Sequence, residues 1–526
     1  MMVRPTWPSF LEAVMQCRRR VAQAALTLLM LSSPIAVPMA QELVNELPDG
    51  ARLYRSACPS DDIAALGGLC YRLEVAENRS KAGGRSVKVP IVVFPGSSRQ
   101  ERPDPVFWFQ GGPSYGITAS YKGILGFKDA FDGRDIVLTE FRGGPKAEPA
   151  LQCPDENYVY SEVVAKGPGT GDKVKLWSDF LSKCYKTLLQ ENIDPNQYND
   201  YTQAFDTDDV RKLLKYDKIN VGGGSAGGGT AMAYLKYFPD HVRAVVLDSA
   251  WLNSLKYRPM LTELQGWRLT YEDLADRCKL DAACARAFPT FAFDLNRARA
   301  ALDAHPWTFV ITDRTTGKPR EIVFEGMDLE WLVYHFLFDD KYNQLPALFD
   351  DIIKGRPESL AKAVDFQKMF SSPYYFRSPP EVRAFGHYWA STCGNAGAAK
   401  LTTDDALAMI AAEPALLLWE RPLTMCAWWP GQGDVPASLA APVVSDKPVL
   451  LLTGQVDACC STRWADHAMR YLSAAQSVEA PWTGHGPLSY ASPCLLAITR
   501  QYLRQPNGPV DKRCLADFKQ KGWQVQ

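Results

Sequence analysis

The stretch Lys218–Thr230, KINVGGGSAGGGT, sets the frame for the whole chain. Its apolar residues Ile219 and Val221 predict a short strand, and the residues 231–238 have the pattern of a helix. Between strand and helix, residues 223–227 read G-x-S-x-G with Ser225 at the centre. Six of the eight residues 222–229 are glycine, as a sharp strand-to-helix turn requires where larger side chains would clash. The pattern therefore predicts a serine hydroxyl exposed at the apex of the turn.

Two other structures are compatible with a glycine-rich stretch, a flexible loop and a phosphate-binding loop. A P-loop places Lys and then Ser or Thr after its last glycine, whereas Thr230 follows Gly229 directly. A G-x-G-x-x-G motif with a partner acid in a β-α-β frame is not evident either. A strand before the glycines and a helix after them favour a nucleophilic Ser225.

The bulk composition is that of a globular protein with a large core. The chain has 526 residues, 46% hydrophobic and 11% aromatic, which suits one large domain with insertions or two to three ordinary domains. The net charge of −1 gives no reason to expect nucleic acid or an anionic membrane surface as a partner.

The first forty residues predict an export signal. Arg18-Arg19-Arg20 precede the apolar run Val21–Leu31, and small residues lead to a cleavage site after Ala40. Met15 would be a more ordinary start than Met1. An N-terminal membrane anchor is the alternative, but the apolar run is short for a span. We expect residues 1–40 to be a signal peptide and the protein to be exported, periplasmic or extracellular, with no membrane span.

Cysteine usage agrees with export. Removal of Cys17 with the signal peptide leaves 12 of the 13 cysteines, an even number typical of disulfides. For Cys459 and Cys460, a vicinal disulfide and bonds to two separate partners both remain open. The absence of a C-x-x-C pair and of clustered histidines indicates no metal site. Local spacing, which does not determine connectivity, proposes Cys58–Cys70, Cys153–Cys184, Cys278–Cys284, Cys393–Cys426 and Cys494–Cys514.

Strand and helix patterns alternate through residues 41–250. Such an order requires an α/β fold with a mostly parallel sheet and right-handed crossovers. The helix before the Ser225 strand is predicted at Asp206–Leu214. The strands Cys70–Glu77 and Ser86–Phe94 are predicted to form an antiparallel hairpin at the sheet edge. Further strands are predicted at Pro105–Phe109, Asp135–Phe141 and Val242–Ser249.

The alternation stops between residues 251 and 445. We expect this segment to be an inserted helical domain that lies over Ser225 as a lid, with a separate domain of its own role as the alternative. The sheet resumes in residues 446–526, which complete the core with the helices Thr462–Leu472 and Pro493–Leu503. Helical patterns in the insertion cover Met260–Asp276, Phe291–Ala304, Met327–Phe338, Leu345–Ile353, Ser359–Phe370 and Thr403–Ala412.

Two residues directly follow strands near the end of the chain. Asp457 comes after the strand Lys447–Leu452, and His485 comes after the strand Gln476–Ala480. The order Ser, Asp, His is the one expected when the serine lies on this kind of turn. A neutral imidazole can take the serine proton, and a carboxylate on its far nitrogen fixes the tautomer. We therefore predict Ser225 as nucleophile, His485 as base and Asp457 as acid.

Alternatives exist for the acid and the base. Asp248, at the end of the preceding strand, is the rival acid, and a helix N-cap is the alternative role for Asp457. His485 is favoured as base because it sits between glycines after a terminal strand, whereas the remaining histidines lie in or beside predicted elements or in the insertion. These are His241, His305, His335, His387 and His467.

A second glycine pair follows the strand Pro105–Phe109. Gly111 and Gly112 would expose backbone N–H groups at the carboxyl edge of the sheet. Together with the N–H of Ala226, this loop can hold the oxyanion of an acyl-transfer reaction. A plain turn is the alternative for Gly-Gly-Pro.

Several stretches resemble a known group in family order. They are CYRLEVAENRSKAGGRSVKVPIVVF, FWFQGGPS, DIVLTEFRGGP, GGGSAGG, FPDHVRAVVLDS, LLTGQVD and GHGP. They resemble the α/β-hydrolase fold, and within it the proline-iminopeptidase and tripeptidyl-aminopeptidase branch of secreted serine exopeptidases. The resemblance implies a triad of Ser225, Asp457 and His485, oxyanion donors at Gly112 and Ala226, and no cofactor.

The chain departs from that branch at four places. Ser114 stands where the oxyanion loop usually has glycine, and Glu140-Phe141 replaces Asp-Gln. Ala226 replaces a bulkier residue after the nucleophile. Gly394 stands where relatives carry an acidic residue that could bind a free amine.

Three functions are therefore compared. The first is an exopeptidase that releases N-terminal residues or short peptides, and the second is an esterase or amidase acting on a small acyl substrate. The third is a non-catalytic binding protein on a hydrolase scaffold, against which the three-part constellation argues.

Overall fold

The computed structural model describes residues 42–525 with gaps at 82, 113, 154–158, 160–161, 164–169, 256–258, 313–316, 359, 361–382, 396–400, 414–415, 417–422 and 432–434. The predicted signal peptide, residues 1–40, lies outside the described residues. So does the predicted helix Ser359–Phe370 except for Leu360.

Of the twelve strands in the described part of the chain, ten form one sheet in the order β1-β2-β3-β4-β6-β5-β7-β8-β11-β12. Strands from β6 to β12 in that order run parallel to their neighbours, whereas β1 to β4 and the β4–β6 pair are antiparallel. Parallel strands bring their carboxyl ends to one edge, where ligands bind in such sheets. The strands are β1 Leu43–Glu46, β2 Arg52–Arg55, β3 Leu69–Ala76, β4 Ser86–Phe94, β5 Val106–Phe109, β6 Ile136–Thr139, β7 Ile219–Gly224, β8 Val242–Asp248, β9 Trp307–Thr312, β10 Pro319–Phe324, β11 Val449–Gly454 and β12 Ala475–Ala480.

The predicted strands of the core are confirmed, but the predicted position of the first hairpin at the edge of the sheet is wrong. The hairpin β3–β4 does not lie at the edge of the sheet, because β2 pairs with β3 and β1 pairs with β2. These two outer strands have four residues each and are largely exposed. Their sequences therefore lack the alternation of buried and exposed residues that reveals a strand.

Side chains of the central strands alternate between two buried layers. In β5, Phe107 and Phe109 pack into one apolar cluster, whereas Val106 and Trp108 pack into the other. Such alternation follows from the two-residue period of a strand, and burial of both faces explains the continuous apolar run. The second layer also takes side chains from the helices Ile117–Gly126 and Pro493–Arg504, while the first receives Asp200–Leu213 and Gly227–Tyr237.

The segment between β8 and β11 is mainly helical, as predicted. The predicted bounds agree with the structure for the helices Phe291–Ala304, Leu345–Ile353 and Thr403–Ala412. The helix Gly326–Phe338 begins one residue before its predicted start. Sequence analysis missed the antiparallel hairpin β9–β10, in which Arg320 pairs with Ile311. The described helices are Pro259–Leu280, Ala282–Ala287, Phe291–Ala304, Gly326–Phe338, Leu345–Ile353, Phe385–Asn395 and Thr403–Ala412.

All five predicted disulfide pairs are confirmed. The two alternatives for Cys459 and Cys460 are both wrong, since neither residue forms a disulfide. Their Sγ atoms lie 3.4 Å apart, well beyond the S–S bond length of about 2.0 Å. Among the described residues, none of the helices combines the length and the apolar composition needed to span a bilayer.

Candidate active site

Ser225 occupies the strand-turn-helix unit that the sequence predicts. It follows β7 directly and has a φ of +51°, an unusual left-handed conformation for a residue with a side chain. Its N–H donates to the carbonyl of Asp248 at 3.0 Å, which ties the turn to the end of β8. A Cβ on Gly227, at the start of the helix, would lie 2.2 Å from the carbonyl oxygen of Phe109. Glycine at that position is therefore a packing requirement of the turn.

The predicted oxyanion loop lies beside Ser225. A Cβ on Gly111 would lie 2.8 Å from the Cβ of Ser225, so only glycine allows this approach. Gly112 has a φ of +56°, which favours glycine, and Ala226 is the N-cap of the helix Gly227–Tyr237. The structure thus places Gly111 against Ser225 and Ala226 directly after it, while contact of Gly111, Gly112 and Ala226 with an oxyanion stays a prediction.

Asp457 and His485 are in direct contact. The Nδ1 of His485 lies 3.0 Å from Oδ2 and 3.1 Å from Oδ1 of Asp457. Asp457 follows β11 and His485 follows β12, two strands that pair in parallel, so their carboxyl ends bring the side chains together. With Nδ1 facing the carboxylate, Nε2 is the ring nitrogen through which a triad histidine acts on its serine, so the role of His485 as base stays a prediction.

The Asp457 carboxylate is stabilised in its ionised form. Its Oδ1 accepts the backbone N–H groups of Cys459 and Cys460 at 2.8 and 3.0 Å. Burial would raise the pKa of Asp457. The charge of His485, with hydrogen bonds from His485, the Cys460 backbone and the Ser249 hydroxyl, outweighs burial and lowers that pKa below its ordinary value. The predicted alternative of a simple helix N-cap does not describe this residue, because the helix Thr462–Met469 has Ser461 as its N-cap.

Asp248, the rival acid, lies at the end of the neighbouring strand. Its Oδ1 accepts the backbone N–H of Leu488 at 3.2 Å, in the segment that follows His485. Burial raises the pKa of Asp248 to about 7, against the smaller opposing effects of the Leu488 hydrogen bond and the charge of His485. The side chain of Asp248 therefore holds a backbone N–H of residues 485–488, here called the histidine loop, whereas the side chain of Asp457 contacts the imidazole.

Two positioning residues were missed by sequence analysis. Ser249, fully buried after β8, accepts the N–H of Gly486 at 3.0 Å and thereby links β8 to the histidine loop. Phe338, at the end of the helix Gly326–Phe338, stacks on the His485 ring with centroids 4.4 Å apart. A serine after Asp248 and a phenylalanine in a helical pattern carry no sequence signal for these contacts.

A buried arginine accounts for the departure at Ser114. The Nε of Arg383 donates to the Ser114 hydroxyl at 2.7 Å, and its Nη1 donates to the Tyr115 hydroxyl at 3.1 Å. The backbone N–H of Ala384 also donates to the Ser114 carbonyl at 2.9 Å. Glycine at 114 could not make the hydroxyl contact, so serine here joins the oxyanion loop to the inserted segment.

The second departure, Glu140, is a buried carboxyl beside the same loop. Its two oxygens accept the backbone N–H groups of Ile117 and Phe141, each at 3.1 Å. Burial raises the pKa of Glu140 to about 8, so the group is mainly neutral at pH 7. It therefore supports the start of the helix Ile117–Gly126 without adding charge to the site.

The inserted segment also approaches the helix Gly227–Tyr237 near Gly394, the position at which relatives carry an acidic residue. A Cβ on Gly394 would lie 3.4 Å from the Cβ of Asn199. The adjacent Asp200 is a buried carboxylate, with Oδ1 accepting from Thr230 at 2.6 Å and Oδ2 accepting from Asn253 at 3.0 Å and Asn395 at 2.9 Å. Burial raises the pKa of Asp200. This carboxylate is already used to join the segment to the helix Gly227–Tyr237.

Comparisons with known proteins agree with this fold. A family model described as alpha/beta hydrolase fold matches residues 105–418, and one described as TAP-like protein matches residues 417–514. The chain is similar to the serine protease Hip1 of Mycobacterium tuberculosis and of Mycobacterium bovis, with 24% identity over 238 residues. That match covers 44% of this chain and 45% of each relative, so it spans about half of their length.

Solved structures give a distant likeness. The proline iminopeptidase of Mycobacterium smegmatis is 14% identical with a TM-score of 0.35, covering 80% of this chain and 96% of that one. A thermophilic esterase from Thermogutta terrifontis is 14% identical with a TM-score of 0.34, covering 83% and 99%.

Proposed function

Because the chain belongs to the α/β-hydrolase fold family, we propose that it is a secreted serine exopeptidase that releases N-terminal residues or short peptides. Ser225 is the proposed nucleophile, with His485 as base and Asp457 as the acid that orients it. The observation that carries the proposal is the 3.0 Å contact between His485 and Asp457 at the sheet edge that also presents Ser225.

The proposed reaction passes through an acyl-enzyme. The Nε2 of His485 takes the proton of the Ser225 hydroxyl while the oxygen attacks the substrate carbonyl. N–H groups of Ala226 and the Gly111–Gly112 loop hold the resulting oxyanion. His485 then gives the proton to the leaving amine, and a water activated by the same imidazole hydrolyses the ester on Ser225.

Support for a peptide substrate comes from the similarity to the serine protease Hip1 and the match to the TAP-like model. Export is supported by the five disulfides and by the predicted signal peptide. We also propose that residues 251–445 act as a lid, since Phe338 and Arg383 of this segment contact the histidine and the oxyanion loop.

An esterase or amidase acting on a small acyl substrate is the second candidate. Gly394 offers no carboxylate for a free amine, and Asp200 beside it already accepts three side-chain hydrogen bonds. Ala226 leaves more room beside the nucleophile than a larger residue would. These features favour substrates without a charged N-terminus.

The nucleophile is tested with a fluorophosphonate probe. We expect covalent labelling of the purified chain at Ser225, located by mass spectrometry, and no labelling of Ser225→Ala. Ser178, a partly exposed serine on the helix Thr170–Gln190, provides a matched control, because Ser178→Ala should label like the unmodified chain. Failure of the intact chain to label would favour a non-catalytic binding protein.

Substrate class is tested with aminoacyl- and tripeptidyl-anilides that have free or blocked N-termini, in parallel with short-chain esters. An exopeptidase should prefer the free-amine anilides in kcat/KM by at least about tenfold over their blocked forms, which corresponds to about 1.4 kcal/mol. Turnover of blocked substrates alone, with a preference for esters, would support the second candidate.

A further inference from the structure

Beside the contact between Asp457 and His485 lie two cysteines, Cys459 and Cys460, whose thiols the proposed hydrolysis does not use. The Sγ atoms of Cys459 and Cys460 and a ring nitrogen of His485 all lie within 4.8 Å of one another. The two Sγ atoms are 3.4 Å apart. Both cysteines are anchored by their backbone N–H groups to Oδ1 of Asp457, which fixes their place beside the imidazole.

This spacing fits the coordination of a small d¹⁰ cation. Zinc bonds of about 2.3 Å to sulfur and 2.0–2.1 Å to nitrogen place tetrahedral ligands about 3.8 Å apart for two sulfurs and about 3.6 Å for sulfur and nitrogen. The Sγ–Sγ separation of 3.4 Å is close to the first value, and the sulfur–nitrogen separations are at most 4.8 Å. Shifts below about 1.5 Å would therefore complete the geometry. Thiolate and imidazole are also the donor set that Zn²⁺ and softer ions prefer.

We propose that Cys459, Cys460 and His485 form a binding site for Zn²⁺ or a softer divalent ion of the same coordination preference, and that occupation of this site inhibits the enzyme reversibly. On binding, the two thiols release their protons to solvent and become thiolate ligands, and the neutral imidazole supplies a nitrogen lone pair. A fourth position stays open to water.

Inhibition follows from the use of His485, and this part rests on the proposed function. If Nδ1 binds the ion, the imidazole loses its contact with Asp457; if Nε2 binds it, the ring can no longer accept the Ser225 proton. The side chain of His485 is 10% exposed, whereas Cys459 and Cys460 are 5% and 1% exposed. The ion would therefore enter past the imidazole, from the side where substrate approaches.

Metal binding is measured first, without any need for activity. The untagged mature chain and its Ser225→Ala variant are titrated with Cd²⁺, and the thiolate-to-cadmium absorption is followed. We expect about one Cd²⁺ per chain in both proteins, competition by Zn²⁺, and loss of the absorption in the double variant C459S/C460S. Absence of the absorption in the folded chain, with its five disulfides intact and the thiols of Cys459 and Cys460 unoxidised, would overturn the proposal.

The single variants Cys459→Ser and Cys460→Ser guard against misfolding of the double variant. Each keeps two of the three ligands, and each should weaken Cd²⁺ binding by at least roughly tenfold, since even the loss of an outer contact has that effect at metal sites. Unchanged affinity in both folded single variants would contradict the site. His305→Gln, which removes an exposed histidine, is the control for surface binding and should leave the affinity unchanged.

Inhibition is measured as the rate of fluorophosphonate labelling of Ser225. Saturating Zn²⁺ should slow labelling by about 10²-fold or more, the scale of a lost general base, and EDTA should restore it. Each cysteine variant is compared with its own metal-free rate, and the double variant should resist Zn²⁺. Equal inhibition of the double variant would refute the proposal, whereas an intact chain that binds Cd²⁺ but never labels would refute only the proposed function.

Discussion

The ends of the adjacent strands β8 and β11 carry two buried carboxylates with opposite properties. Asp248 ends β8 and Asp457 lies just after β11, and the two strands pair in parallel with Leu452 opposite Asp248. Burial raises the pKa of Asp248 to about 7, whereas the charge of His485 and several hydrogen bonds overcome the burial of Asp457 and lower its pKa. Burial is common to both residues, so the contact with His485 and the hydrogen bonds around each carboxylate set the direction in which its pKa shifts.

The two strand ends therefore have different tasks. Asp457 contacts the imidazole and receives two backbone N–H groups from the cysteines that follow it. Asp248 supports the site through the main chain: its carbonyl accepts the N–H of Ser225, and its side chain accepts the N–H of Leu488. The end of β11 supplies the carboxylate that contacts His485, and the end of β8 positions the turn at Ser225 and the segment that follows His485.

The largest expected effect is that of Asp457→Asn. The amide cannot hold the imidazole in the required tautomer, so kcat should fall by about 10³–10⁴-fold, the scale seen when a triad acid is replaced by its amide. The rate of fluorophosphonate labelling is the measurement. Asp466→Asn, at an exposed position in the helix Thr462–Met469, is the matched control and should label normally. A mild effect of Asp457→Asn would transfer the acid's role to Asp248.

Asp248→Asn should change the pH dependence of stability. The folded chain holds the Asp248 proton up to about pH 7, while the unfolded chain releases it near 3.8, so this group's stabilisation is lost as pH rises between those values. The variant lacks that loss. Relative to the unmodified chain, its free energy of unfolding should therefore increase by on the order of 3 kcal/mol between pH 5 and pH 8.

Urea unfolding at several pH values, with disulfides intact, provides this measurement. A pH-independent difference between the two proteins would mean that Asp248 is already ionised in the folded state. It would then resemble Asp457, and the contrast between the strand ends would disappear.

Ser249→Ala tests the residue between the two carboxylates. The change removes the acceptor of the Gly486 N–H and a hydrogen bond to Asp457, so the histidine loop loses a fixed point. We expect kcat to fall by roughly tenfold and stability by about 1–3 kcal/mol, as for one unsatisfied buried group. Ser249→Thr keeps a hydroxyl and should retain more activity if the hydrogen bond, rather than side-chain volume, is what matters.

The smallest expected effect is that of Asp248→Asn on the reaction rate. The amide oxygen can still accept the Leu488 N–H, and the backbone contact with Ser225 does not depend on the side chain. We expect kcat at pH 8 to stay within roughly threefold of that of the unmodified chain, well below the effect of a lost triad member. A loss comparable to that of Asp457→Asn would show that both carboxylates act on His485.

Local pattern predicted the core elements well because their signals are short-range. A few neighbouring residues are enough to predict each of these elements. Examples are the glycines around Ser225, the apolar runs at β5, β7 and β11, and the glycines flanking His485. The same holds for the five disulfides, whose cysteines are separated by between 6 and 33 residues. Strands β1 and β2 escaped prediction because their short, exposed sequences lack alternation.

The sequence by itself determined the strand-turn-helix at Ser225, the order of serine, acid and histidine, and the parallel sheet that brings their loops to one edge. Only the tertiary structure decided what surrounds them: Phe338 on the imidazole, Arg383 on the oxyanion loop, and two thiols beside His485. The contacts of Phe338 and Arg383 join residues far apart in the chain and depend on how the inserted segment packs against the sheet, whereas the thiols meet His485 because β11 and β12 pair. Backbone preferences are local and can be read along the chain, whereas the partners and ionisation of a buried side chain depend on the assembled fold.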